Sequence, residues 1–213
     1  MDRLQLCVDG SCIKVPAQKQ QFVLGWGLVA ASSRYTGERT GAVAVPFPYN
    51  RYHETLAVVE GVLLAHELGY APENTSLRTD DEMLGYANTF LHPGNARMLA
   101  AEHVRDSVMR VCEKFYNAHV AELTLRYLRV AQVEKLRGHG RGHRRFVEHT
   151  RADVLARQSA QLEAGLPLSE PLSEYEEWLQ LGPQVFDYEI QEKVREPLPF
   201  CAPGLPVVMP LAA

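Results

Sequence analysis

The chain has 213 residues, enough for one domain of ordinary size plus an appendage and too few for two full domains. Hydrophobic residues make up 46% of it and charged residues 23%, a globular balance that excludes a disordered or fibrous polymer. The formal net charge of −4 excludes a generally basic nucleic-acid coat, so any contact with phosphates has to be regional.

The first apolar run, residues 4–11, alternates Leu4, Leu6 and Val8 with Gln5, Cys7 and Asp9. That period predicts a strand with one buried face, ending in an acid. The glycine-punctuated run from Phe22 to Ala31 and the short run from Thr40 to Val45, with a turn between Ser32 and Gly37, predict a three-stranded meander. From Tyr52 to Gly69 the pattern becomes helical, closed by Gly69 with Pro72 just beyond. Ser76 to Thr79 then reads as a brief strand ending at Asp80 and Asp81. A short helix is expected from Glu82 to Leu91, stopped by Pro93 and Gly94, and a longer one from Asn95 to about Ala118, with apolar residues at threes and fours. A further alternating strand is predicted within Glu122 to Val133, then a glycine-rich loop from Gly138 to Arg145 and a helix from Thr150 to Ala164. Strands joined through long helices need crossovers, while the opening meander is antiparallel, so the fold class is α/β with a mixed five-stranded sheet flanked by helices.

Eight of the thirteen prolines fall in residues 165–213, where the composition turns acidic and only Ser173 to Leu181 suggests a helix. The expected organisation is a domain over residues 1–164 and a C-terminal extension over 165–213, a stretch through which a protein partner could act. Cys7, Cys12, Cys112 and Cys201 form no CxxC pair, and the N-terminus lacks the pattern of a secretory leader, which points to a reducing cytoplasm. No apolar run reaches membrane-spanning length, so no membrane contact is expected.

Four acids then stand out by where the predicted elements would bring them. Asp9 and Asp80 both end strands; if those strands are adjacent and parallel, both acids leave the sheet at one edge, where open α/β sheets place their sites. Glu54 opens the clearest helix on a face shared with the small residues Ala57, Val58, Gly61 and Ala65, and Asp153 lies near the start of the last helix. Singly, each has an ordinary reading: a strand-ending Asp in a turn, an acid complementing a helix dipole, an N-cap at Asp80, a capping box formed by Thr150 and Asp153. Jointly, four carboxylates that close require protons or a cation. Hard oxygen donors suit Mg²⁺, or Mn²⁺, and two such ions form the clamp used in phosphodiester hydrolysis. Lys135, Arg137, Arg141, Arg144, Arg145 and Arg151 make the one dense basic region, placed against substrate phosphates. His139 and His143 have the spacing of a helical zinc pair, but Gly140 and Gly142 argue against a helix there.

Val8-Asp9-Gly10-Ser11, Glu54 opening the long helix, Thr79-Asp80-Asp81, and Gly142-His143 followed by Ala152-Asp153-Val154-Leu155-Ala156-Arg157 together resemble type I ribonuclease H, over residues 4 to about 160. The resemblance implies a ribonuclease H-like fold, with Asp9, Glu54, Asp80 and Asp153 as ligands of two Mg²⁺ (or Mn²⁺) ions. It implies catalysis by those four acids with His143 as the loop histidine that assists proton transfer or product release. The partner it implies is an RNA–DNA hybrid, contacted by Gly10, Ser11 and Asn50 and by Arg144 and Arg145, with the RNA strand cut to leave a 3′-hydroxyl and a 5′-phosphate. The sequence departs from the motif at Asp81, where a serine is usual, which leaves Asp80 and Asp81 both open as the ligand. His149 replaces an asparagine four residues before the last acid, and the loop carrying His139 and His143 is longer than usual. Two other readings keep the fold: a nuclease acting on DNA, and a nucleic-acid-binding or scaffold module without turnover.

Overall fold

Both faces of β1 (Leu4–Lys14) are covered, which decides the rest of the architecture. Leu4, Leu6 and Val8 are fully buried on one side, but so are Cys7 and Asp9 on the other. This corrects the expected one-sided strand. The computed structural model describes residues 2–16, 21–48, 51–81, 84, 95–136 and 146–168. Within them β1 is joined by β2 (Phe22–Ala31), β3 (Thr36–Val45), β4 (Thr75–Thr79) and β5 (Gln132–Lys135) in one sheet of order β3-β2-β1-β4-β5. The pairs β1/β2 and β2/β3 are antiparallel, and β1/β4 and β4/β5 are parallel. The sheet is therefore mixed and five-stranded, as the sequence pattern predicts.

The helices are α1 (Tyr52–Glu67), α2 (Asn95–Phe115), α3 (Ala118–Val130) and α4 (Phe146–Glu163). α1 packs on β1, β2 and β4, and α2 and α3 cover its other side, so α1 is buried on nearly every face from Thr55 to Ala65. Even Glu60, which points away from the sheet, is covered by Tyr116, whose hydroxyl donates to its carboxylate. α4 packs across β1, β2 and β3 on the opposite face, where Ala152 and Leu155 meet Cys7 and Val29.

Two expected boundaries are corrected. Residues 122–133 do not hold a strand from the start: α3 runs to Val130, and β5 begins only at Gln132. Leu123 and Leu125 suggested a period of two, but the buried residues Ala121, Thr124, Tyr127 and Leu128 keep helical spacing, and Asn117 caps the helix by accepting the Val120 amide at 3.0 Å. α4 begins at Phe146, four residues early, so Thr150 lies inside the helix and forms no capping box with Asp153. The expected helices at 82–91 and 173–181 lie outside the described residues, as does nearly all of the C-terminal extension. Among the described residues no helix is long and apolar enough to cross a membrane.

α4 lies flush on β2 because that strand offers glycine where the helix crosses. A Cβ at Gly27 would come within 2.3 Å of the Ala152 carbonyl oxygen and 2.6 Å of the Ala156 nitrogen, both helix backbone. Farther along β1, the Glu148 carboxylate accepts from Cys7 Sγ at 3.6 Å and from Arg78 Nη1 at 3.1 Å, pinning the helix start to β1 and β4. Gly27→Ala is expected to lower stability to urea by about 1–3 kcal/mol, the range for overpacking a closed interface. Gly37→Ala, whose new methyl meets only the Tyr35 side chain, should cost less.

Candidate metal centre

The register of β1 on β4 pairs Cys7 with Arg78, so two residues farther on Asp9 stands beside Asp80, where the pairing with β4 has ended; Asp80 follows the end of β4, but β1 runs on to Lys14 against β2, which corrects the expectation that Asp9 ends its strand. α1 arrives at that point because β1 carries Gly10 there. A Cβ at Gly10 would lie 2.3 Å from the His53 carbonyl carbon and 2.6 Å from the Glu54 nitrogen, so only glycine lets the first turn of α1 rest on the strand. Glu54 consequently reaches the two aspartates. One carboxylate oxygen from each of Asp9, Glu54 and Asp80 lies within 4.8 Å of the others.

The surroundings make this proximity costly. Burial, then the Glu54 charge, raises the Asp9 carboxyl well above the ordinary range; Asp80 and Asp153 push it the same way, and His149 opposes them. Glu54 is raised likewise, by burial first and then by Asp80 and Asp81, with the Gly10 amide and Arg51 pulling it down. His149 Nε2 stands 3.3 Å from Asp80 Oδ2. Burial works against its positive form, but the nearby carboxylates of Asp80, Asp9 and Asp153 outweigh it, and its pKa is raised. One oxygen of Glu54, Oε2, is buried with no hydrogen-bond partner. A group of three carboxylates, one of them with a buried oxygen that has no hydrogen-bond partner, fits a hard divalent cation such as Mg²⁺ or Mn²⁺, which would take all three as ligands.

Of the residues singled out in the sequence, Asp9, Glu54 and Asp80 are brought together. The choice between Asp80 and Asp81 resolves geometrically: Asp80 joins the group, whereas the Asp81 carboxylate accepts from Arg51 and from the Leu84 amide. Asp153 stays close enough to act on Asp9 and His149, but its Oδ2 accepts from Arg157 Nη2 at 2.7 Å, one turn along α4. Gly10 has a packing role beneath α1, and Ser11 continues β1 opposite Gly25. Arg151, part of the basic region, donates from two of its guanidinium nitrogens, Nε and Nη2, to the two Glu38 carboxylate oxygens at 2.8 Å. Asn50, His139, His143, Arg144 and Arg145 lie outside the described residues.

Sequence reasoning treated His149 only as a departure from a motif, and it passed over Arg51. His149 precedes Asp153 by four residues, so the two share a helix face once the helix is known to start at Phe146.

No family model and no curated protein matches the sequence. Several solved structures are similar to this chain. One is an RNase H1 from the halophilic archaeon Halobacterium salinarum, at 17% identity over 74% of this chain and 96% of that one, with a TM-score of 0.44. The RNase H domain of prototype foamy virus matches at 15% identity over 76% of this chain and 96% of that domain, with a TM-score of 0.47. LC11-RNase H1, solved in complex with an RNA/DNA hybrid, matches at 13% identity over 76% and 99%, with a TM-score of 0.44.

A carboxyl whose pKa rises on folding makes the native state bind more protons than the unfolded chain, so its contribution to stability falls as pH climbs past the ordinary carboxylate value of about 4. Without metal, Asp9→Asn is therefore expected to raise the Tm at mildly alkaline pH and to flatten the pH dependence. In the same fluorimetric scan the parent's Tm should rise with added Mn²⁺, and the variant's should not.

Proposed function

We propose that this protein is a divalent-metal-dependent nuclease of the ribonuclease H type, cutting the RNA strand of RNA–DNA hybrids. The observation that carries the reading is the meeting of Asp9, Glu54 and Asp80 from three separate elements, within 4.8 Å, with a buried Glu54 oxygen left without a partner. A divalent cation held there would neutralise the acids, bind phosphate oxygens and lower the pKa of a water ligand.

The chain's own residues supply the rest. Asp80, 35% exposed at its side chain, is the member of the group most open to a ligand arriving from solvent, while Asp9 and Glu54 are fixed behind it by burial. His149 holds Asp80 from the α4 side. Asp153 would serve as the fourth ligand, toward a second ion, once its carboxylate is released from Arg157. His143 moves a proton or assists product release, and Asn50, Gly10, Ser11, Arg144 and Arg145 contact the hybrid, as the motif resemblance supports. Residues 1–164 form the catalytic domain, and 165–213 form an extension suited to a protein partner. The cysteine pattern supports a cytoplasmic setting.

Labelled RNA–DNA hybrid incubated with the purified chain should be cut in Mg²⁺ or Mn²⁺ to 3′-hydroxyl and 5′-phosphate ends, while single-stranded and duplex DNA are left intact. Asp80→Asn should reduce the rate by more than the roughly 10–100-fold that loss of an outer-shell partner costs. Hybrid untouched in both metals defeats the proposal, and preferential cutting of DNA moves it to a DNA nuclease. Because a part-exposed ion pair contributes at most about 1 kcal/mol, Arg157→Gln should lower the Mn²⁺ concentration for half-maximal cleavage by up to about fivefold.

A further inference from the structure

Asp81 occupies the place where the motif carries serine, and it is not idle. Its carboxylate is 5% exposed and takes Arg51 Nη1 on both oxygens, at 3.3 Å to Oδ1 and 3.0 Å to Oδ2. Oδ1 also accepts the Leu84 amide at 2.9 Å, and the Asp81 amide donates to Thr79 Oγ1 at 3.1 Å. Asp81 is thereby locked to the end of β4, one residue beyond Asp80.

Arg51 is equally constrained at the other end. It is the residue before the first turn of α1, three positions ahead of Glu54, and its carbonyl accepts the Thr55 amide at 3.2 Å and the Thr55 hydroxyl at 3.3 Å. Its φ of 62° is left-handed, and it is the one non-glycine residue with positive φ among the described residues. A residue with a side chain takes that conformation at an energetic cost, which persists where the surroundings impose it. Glycine would adopt it freely; arginine there brings a guanidinium that reaches Asp81.

We propose that the Arg51–Asp81 ion pair is a strut that sets the spacing between Glu54 and Asp80, and so tunes the affinity of the metal centre. It does this by tying the start of α1 to the end of β4 while cancelling a further negative charge beside three crowded carboxylates. Arg51 and Asp81 are positioning residues: each acts through its neighbour in sequence space, Glu54 or Asp80, and neither is a ligand. The inference rests on the metal centre proposed above and adds to it a determinant that the ligand motif does not contain.

Isothermal titration of the full chain with Mn²⁺, beside thermal unfolding, tests it. Asp81→Asn keeps the shape of the side chain and removes its charge. Arg51→Gly accepts the left-handed backbone without strain and removes the guanidinium, so loss of the pair is separated from loss of the fold. Each is expected to weaken Mn²⁺ binding about tenfold, as loss of an outer-shell partner does, with the protein still folded at the titration temperature. The double variant should bind no more weakly than the weaker single one, because both changes delete the same pair. A parent that binds Mn²⁺ and variants that bind it equally well overturn the strut. Tighter binding by Arg51→Gly also overturns it, since the charge of Asp81 would then outweigh the spacing. A parent that takes up no Mn²⁺ overturns the metal centre itself.

Discussion

Three carboxylates within 4.8 Å of one another repel, and the fold is built so that they cannot separate. Asp9 is fixed by a central strand that is covered on both faces, Asp80 by the parallel neighbour of that strand, and Glu54 by a helix whose backbone rests directly on Gly10. They meet just beyond the last β1/β4 pair, Cys7 with Arg78, where β1 continues against β2 alone. Burial first, and then this repulsion, displaces Asp9 and Glu54 upward, and His149 approaches Asp80. Protonation, a histidine and a divalent ion are three answers to one electrostatic demand, and only the last also confers phosphodiester chemistry.

Holding like charges together needs rigid supports, and here they are close contacts between backbones. Gly10 under α1 and Gly27 under α4 remove the Cβ that would keep helix and strand apart. The approach on the α4 side is reinforced by the Cys7, Arg78 and Glu148 side chains, and that on the α1 side by the apolar cluster of Leu6, Val8, Val58, Val62 and Leu77. The acids are therefore placed by packing over the whole sheet. Changes far from the carboxylates act on the same geometry.

Where local period and tertiary environment agreed, the sequence was read correctly. β2 and α1 are long, carry a consistent pattern and end in recognisable signals, and Glu54 was placed with α1; β1 was found as a strand, but its two covered faces and its run to Lys14 past Asp9 were not. Where they disagreed, the reading failed. Leu123 and Leu125 alternate in α3 because they flank the buried Thr124 on one broad, half-buried helix face, not because the segment is extended. Thr150 resembled a cap only because the preceding turn of α4, with Glu148 and His149, carries polar side chains that are buried by partners from distant strands. Arg51 and Asp81 are separated by thirty residues, and no local pattern connects them.

The sequence by itself determined the alternation that makes β1 a strand, the helical run that carries Glu54, the mixed character of the sheet and the motif order that resembles ribonuclease H. These are properties of neighbouring residues and of their spacing, so a linear reading captures them. Tertiary structure alone decided which of two adjacent aspartates joins the cluster, that Asp153 is held by Arg157, that His149 faces Asp80, and that Arg51 reaches Asp81. Those outcomes depend on directions of side chains set by register and by helix-on-sheet packing. A single residue of shift in either would reverse them.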